Sequence, residues 1–319
     1  MKEDSTTHPQ IFQKDKQFKK VFVKEWKQRK WLYLMLVLPL VSLIIWSYIP
    51  MYGILIAFQN FSPARGISGS PWVGLSHFQR FFNSFIFWDL IVNTLRLSIY
   101  GLLVGVPSSI ILALMFNEVR NKKFKSIVQT ISYFPNFISV VIVVSMFTFF
   151  LSTDGMINQI LIYLGLEAPI SFLGNASWFP HIFVWSGVWQ GVGWGTLIYT
   201  AAMAGIPQDQ YEAAVLDGST RLQSIRYITI PGIMPTIVIS TILAAGGIMS
   251  VGFERTFLFQ NPGNIGTSEI IATFVYQAGL VNSDHSFATA IGVFNNIINL
   301  IIIVTVNAFA RKFSETSLW

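Results

Sequence analysis

Several groups of polar or aromatic residues interrupt otherwise apolar sequence, and their types suit binding better than bond-breaking. The run Trp185-Ser186-Gly187-Val188-Trp189-Gln190-Gly191-Val192-Gly193-Trp194-Gly195 places glycine at every fourth position and three indoles among them. Gly187, Gly191 and Gly195 make a flat helix face. Such a face either packs tightly on another helix or leaves Trp185, Trp189 and Trp194 as rings for stacking on sugar faces, with Gln190 bonding hydroxyls. A lipid-facing glutamine is costly, so Gln190 is expected against protein or a wet cavity. Asn295 and Asn299 share a face further on, either as interhelical hydrogen bonds or as sugar contacts. Glu254 and Arg255 offer charges either to a solute or to an ion pair, and Tyr133 and Asn136 flank Pro135, where a gate or simple packing fits.

Reactive constellations are missing. No phosphate loop of the G-x-x-x-x-G-K-[ST] type occurs, so any ATP hydrolysis must come from another chain. There is no cysteine, and His8, His77, His181 and His285 are scattered without metal-ligand spacing. No paired carboxylates fall within the apolar segments, which argues against a proton relay.

A different kind of signal lies in Tyr211-Glu212-Ala213-Ala214-Val215-Leu216-Asp217-Gly218, continued through Ile228-Thr229-Ile230-Pro231. Glu212, Ala213 and Ala214 favour helix. Gly218 permits a sharp turn, and Pro231 is expected to end the local helix before the next apolar segment. A helix, a glycine break and a second short helix make a compact knob, on which small alanines leave room for a partner and Glu212 offers it a charge.

These groups are carried by an all-α membrane chain. Hydrophobic residues are 53%, charged residues only 11%, and the mean hydropathy is +0.56, whereas a soluble domain is roughly a quarter charged. Six apolar spans are expected, roughly at 31–52, 90–116, 127–151, 181–205, 236–253 and 287–310. Bases gather before the first span, between the second and third (Arg120, Lys122, Lys123, Lys125) and after the last (Arg311, Lys312). That bias puts both termini and the knob in the cytoplasm. Residues 1–30 read as a basic cytoplasmic arm, with an interfacial helix from about Phe18 to Trp26. Residues 31–319 read as one membrane domain, with the knob in a loop at about 206–235.

Glu-Ala-Ala, three residues, Gly218, nine residues, Ile228, one residue and Ile230-Pro231 resemble the EAA loop of binding-protein-dependent ABC importer permeases, with isoleucine at 230 where the family has leucine. The run from Ile131 to Ser139, then Gly155-Met156-Ile157-Asn158 and Gly252-Phe253-Glu254-Arg255, resemble the oligo- and polysaccharide permeases, a group that includes alginate importers. The resemblance implies a type I importer fold working by alternating access, completed by a second permease subunit. It further implies two ATPase subunits that carry ATP and magnesium, and a solute-binding protein docked on the outer loops. Glu212, Ala213, Ala214, Asp217, Gly218 and Pro231 would then meet the ATPase. The expected function is import of a carbohydrate, an oligosaccharide first of all, with no catalysis in this chain. The alternatives are the same architecture for a non-sugar solute, a membrane enzyme of lipid-linked glycans, and a channel or ion-coupled carrier.

Overall fold

The computed structural model describes residues 29–313. The expected interfacial helix from Phe18 to Trp26 therefore lies outside the described residues. The chain divides between Leu55 and Ile56 into two compact units. The described part of the first lies within α1, Arg29–Phe58, a 30-residue apolar helix whose large side chains, Trp31, Leu38 and Trp46 among them, are exposed. It passes through a π turn at Ile44–Tyr48 before Pro50 and tightens to a 3-10 helix at Tyr52–Phe58. An apolar helix with no buried face suits lipid or another subunit rather than a water-exposed surface.

The second unit holds the rest. After a short α2, Ser76–Phe82, come α3, Phe87–Glu118, α4, Lys122–Tyr133, α5, Val140–Leu151, and α6, Met156–Tyr163. Next are α7, Phe179–Ala204, the knob helix α8, Gln208–Leu216, and α9, Arg221–Ala245. Short helices α10, Phe253–Phe259, α11, Ile265–Ser268, and α12, Ile271–Tyr276, precede α13, His285–Phe313. No strand occurs among the described residues. Five stretches are long and apolar enough to cross a membrane: α1, α3, α9, α13 and the segment Val140–Tyr163. The 26 residues of α7 are also long enough, at about 1.5 Å each. Glycine, serine and glutamine dilute its apolar character.

Three expected boundaries move. The third span is not one helix. Pro135 sits in a 3-10 turn, Phe134–Phe137, that separates α4 from α5. Proline removes a donor and clashes with the preceding turn, so the helix stops and Ser139 restarts it, accepting from Ile142 N at 3.4 Å. The fifth span is shifted. Pro231 does not end a helix, because it occupies the first turn of the segment that begins at Ile230. A π turn at Ile225–Thr229 leads into it, and the helix runs unbroken from Arg221 to Ala245. It stops at Gly246 and Gly247 rather than near Phe253. Finally, the stretch between the expected fifth and sixth spans is largely helical, and it buries Ile270, Ile271 and Ala278.

Packing centres on α3 against α7, the most extensive helix pair. One buried cluster joins Leu97, Val144, Phe179, Phe183, Phe259 and Ile270. A second joins Phe81, Leu90, Met249, Ile271, Phe287 and Ile291. A third, at the knob end, joins Ala113, Tyr199, Met203 and Ile233. Polar side chains fasten the irregular segments to these helices. Asn93 Nδ2 donates to the carbonyls of Gly266 at 3.0 Å and Glu269 at 3.1 Å. Fully buried Asn158 donates to Ser152 O at 2.8 Å and Ile170 O at 2.9 Å, and accepts from Ile170 N at 2.8 Å. Arg80 pairs with Asp284 at 2.6 Å.

Burial, with help from Asp89, pushes the Glu269 carboxyl above the ordinary carboxylate range. A carboxyl raised on folding favours the folded state while protonated, and that contribution is lost as pH rises through the folded value. Glu269→Gln is therefore expected to raise the thermal midpoint in detergent at neutral pH and to have little effect at acid pH. An equal effect at both would contradict this. Asn158→Ala strands buried backbone groups and is expected to destabilise by about 1–3 kcal/mol, read from the same unfolding scans.

Candidate functional site

The break between α4 and α5 leaves carbonyls without helical partners. Gln190, in the middle of α7, answers one of them: its Nε2 donates to Ile138 O at 2.7 Å. Its Oε1 in turn accepts from Arg255 Nη2 on α10. One amide thus ties three elements together. The approach of α4 to α7 is possible only because residue 193 is glycine, since a Cβ there would overlap the Ser132 carbonyl.

Arg255 crosses to α7 at Gly187, where a Cβ would strike the Nη1 atom, so glycine makes room for the guanidinium. Its Cζ lies 6.0 Å from the Phe183 ring centroid, in cation–π range. The guanidinium closes one end of a cavity of about 480 Å³ between α3, α7, α9 and α10. Gly101 and Gly105 of α3 and Gly191 of α7 form its open floor, with nothing within 4 Å of where their Cβ atoms would stand. Ser109, Tyr199 and Ser240 stand toward the other end, with Tyr199 and Ser240 hydroxyls 2.9 Å apart. From Gly187 to Tyr199 the wall extends about 18 Å at 1.5 Å per residue. The cavity is a mostly apolar trough with a cation at one end and hydroxyls at the other.

The glycine stripe of α7 divides its roles. Gly187 and Gly195 admit side chains, of Arg255 and Ser109, while Gly191 faces open space. The three tryptophans stand outside the cavity lining. Trp185 lines a separate apolar recess with Phe147, Trp178 and His181, and its Nε1 donates to Tyr100 at 3.1 Å. Trp189 meets Phe147 edge-on at 5.9 Å, and Trp194 meets Phe137 at 5.7 Å. Asn299 accepts from Met249 N at 3.0 Å and donates to Ser250 at 2.9 Å, so it holds the turn after α9. Asn295 Oδ1 is buried on the same helix. Glu254 is exposed beside Arg255. Tyr133 packs on Phe116 at 6.4 Å, and Asn136 lies in the 3-10 turn. Of these ten residues, the structure brings Gln190 and Arg255 into direct contact. Ser109, Tyr199 and Ser240 had no sequence signal, because isolated hydroxyls in apolar helices carry no pattern.

The knob is compact. Gly218 has φ of +77°, and the amides of Gly218 and Ser219 close the end of α8 on Val215 O and Ala214 O at 3.0 and 2.9 Å. This is a left-handed C-cap that glycine adopts without strain. Thr220 then starts α9 with a capping box to Gln223. Glu212, Ala213 and Asp217 are exposed and Ala214 is half-buried. Pro231 is exposed on α9. Sequence reasoning missed the apolar crown: Val215 is 68% exposed, Leu216 88% and Leu222 75%. Such side chains at a polar tip are the expected core of a docking face. Tyr211 bonds Thr229 at 2.9 Å, fastening α8 to the shaft of α9.

Known proteins fit this geometry. The model of the family described as binding-protein-dependent transport system inner membrane component matches residues 105–315. The polygalacturonan/rhamnogalacturonan transport system permease protein YteP of Bacillus subtilis is 42% identical over 97% of this chain and 96% of its own. Protein LplB of the same organism is 41% identical over 92% of each. A chain of a solved bacterial alginate ABC transporter, in complex with alginate pentasaccharide-bound periplasmic protein, superposes with a TM-score of 0.85 at 38% identity, covering 92% of this chain and 99% of that one.

Gln190→Leu removes the acceptor for Arg255 and the donor for Ile138 at once. It is expected to destabilise by about 2–4 kcal/mol, as one or two buried polar groups lose their partners. Unchanged thermal stability of the purified variant would contradict that role.

Proposed function

The chain belongs to the binding-protein-dependent transport system inner membrane components, the permease subunits of ABC importers, and from that premise we propose that its cargo is a carbohydrate passing through the α3–α7–α9–α10 cavity. It is a multi-pass membrane protein of the type I importer fold and a transport component rather than an enzyme. The carbohydrate reading is supported by the relatives named above and by a cavity that offers hydroxyl partners over an apolar floor. An oligosaccharide suits its length.

In this reading the chain sits in the cytoplasmic membrane with both termini inside. A second, related permease subunit completes the pathway. Two ATPase subunits hold ATP and magnesium, and one of them receives the knob. Val215 and Leu216 enter its groove, Glu212 makes a polar contact at the rim, and Gly218 shapes the turn. A solute-binding protein docks on the opposite side and delivers the sugar.

The observation that carries the mechanism is the course of α9. This one helix bears Thr229, the joint to the knob, and Ser240 and Ala244, part of the cavity wall. Between Thr229 and Ser240 it spans about 16 Å at 1.5 Å per residue. A push on the knob therefore reaches the cavity along one continuous helix. ATP-driven closure of the motor subunits moves the knob and turns the cavity outward; hydrolysis returns it.

Glu212→Lys, Leu216→Asp and Gly218→Val are each expected to insert and assemble at normal levels and to lose most sugar-stimulated ATPase activity of the complete importer. Gly218→Val adds strain because φ is +77°. Stimulation at the unmodified level in all three would overturn the coupling assignment.

A further inference from the structure

Among the described residues, Arg255 is the sole charged one lining the cavity. No carboxylate among the described residues forms an ion pair with it; the ion pair found there joins Arg80 and Asp284 instead. Its sequence neighbour Glu254 is exposed, does not line the cavity and acts on the guanidinium through its field rather than by a contact. Of the guanidinium nitrogens, Nη2 has the Gln190 acceptor, while Nε is buried with no acceptor at all. A buried donor on a charged group is costly to leave unpaired. Gln190 is itself held by Ile138 O and cannot swing away to serve it. Gly187 beneath and Phe183 beside keep the planar head at the cavity wall.

The outer edge of the guanidinium, with its Nη1 and Nη2 atoms, is planar and permanently charged, and a carboxylate matches such an edge with two oxygens that accept in the same plane. A neutral sugar hydroxyl accepts one bond and brings no charge to the guanidinium. We propose that Arg255 reads a carboxylate on the transported sugar, so that the substrate is a uronate-containing oligosaccharide. The inference rests on the carbohydrate reading above. It adds the acid group and the residue that selects for it. The hydroxyls of Ser109, Tyr199 and Ser240 then serve the neutral positions of the same chain of sugars.

The test uses the complete importer in proteoliposomes, with one and the same binding protein throughout. ATP-dependent uptake of trigalacturonate is compared with uptake of its carboxyl-reduced, neutral counterpart. The unmodified importer is expected to favour the acid. In Arg255→Gln the acid-to-neutral ratio is expected to fall by about tenfold, the scale of one charge-assisted hydrogen bond. Arg255→Lys, which keeps the charge and loses the fork, is expected to fall between. Because the binding protein is constant, a change in ratio belongs to this chain. An unchanged ratio in Arg255→Gln, or equal uptake of both sugars by the unmodified importer, overturns the inference while leaving a carbohydrate importer. Uptake of neither sugar, nor of any other oligosaccharide offered, by an importer whose ATPase is active overturns the carbohydrate reading, and this inference with it. Where Arg255→Gln fails to assemble, Arg255→Lys carries the same comparison of ratios.

Discussion

A carbonyl without a partner is expensive inside a hydrocarbon slab, and the arrangement around the cavity follows from how one such group is satisfied. Pro135 breaks the third apolar segment and frees backbone around Ile138. Gln190 reaches that carbonyl from α7, and having committed its amide nitrogen there, it presents its oxygen to Arg255. The guanidinium is thereby fixed at the cavity end. Glycine at 187 and 193 is the steric counterpart, allowing a side chain in one case and a backbone in the other to come within contact of α7. Without the break, Gln190 would be a stray polar group in a membrane helix.

The same logic links cavity to knob. A continuous helix transmits displacement, and α9 runs without interruption from Arg221 to Ala245 although Pro231 and Pro235 each lack an amide to donate within it. Pro231 lies in the first turn of the segment starting at Ile230, and the preceding π turn takes up the misfit. The Tyr211–Thr229 bond and the contact of Gly232 with Ile206 seat the base of α9 against the knob and the end of α7. The ends of this lever are chemically unlike, with apolar Val215 and Leu216 at the tip and hydroxyl-bearing Ser240 at the wall.

Much of the fold was legible because lipid imposes strong rules on sequence. Apolar length located α3, α7 and α13 to within a few residues of the expected spans. The glycine turn at 218 was legible for a local reason, since a left-handed residue must follow a helix that ends so abruptly. The break at Pro135 was harder, because proline is tolerated in many membrane helices and the outcome depends on whether a neighbour can supply donors. The extent of α9 depended likewise on a π turn that composition does not announce. The helices after Glu254 were missed because their apolar residues are spaced too sparsely for a span and become a core only against α3 and α13. As for the site, Gln190 and Arg255 stood out as polar groups needing partners. Tryptophans were conspicuous by type yet pack on phenylalanines outside the cavity lining, since a large ring at a membrane helix surface has several equally good homes.

The central claim is that the cavity is opened by a motor acting on the knob from outside this chain. The most direct measurement is the separation of spin labels at Leu102 of α3 and Ala244 of α9, which both line the trough, in the assembled importer and in this chain alone. The account predicts a distance that shifts when ATP is bound to the assembled importer and stays fixed in the isolated chain under the same conditions. A trough of constant width in the assembled importer, or one that changes width with ATP in the chain alone, would contradict it.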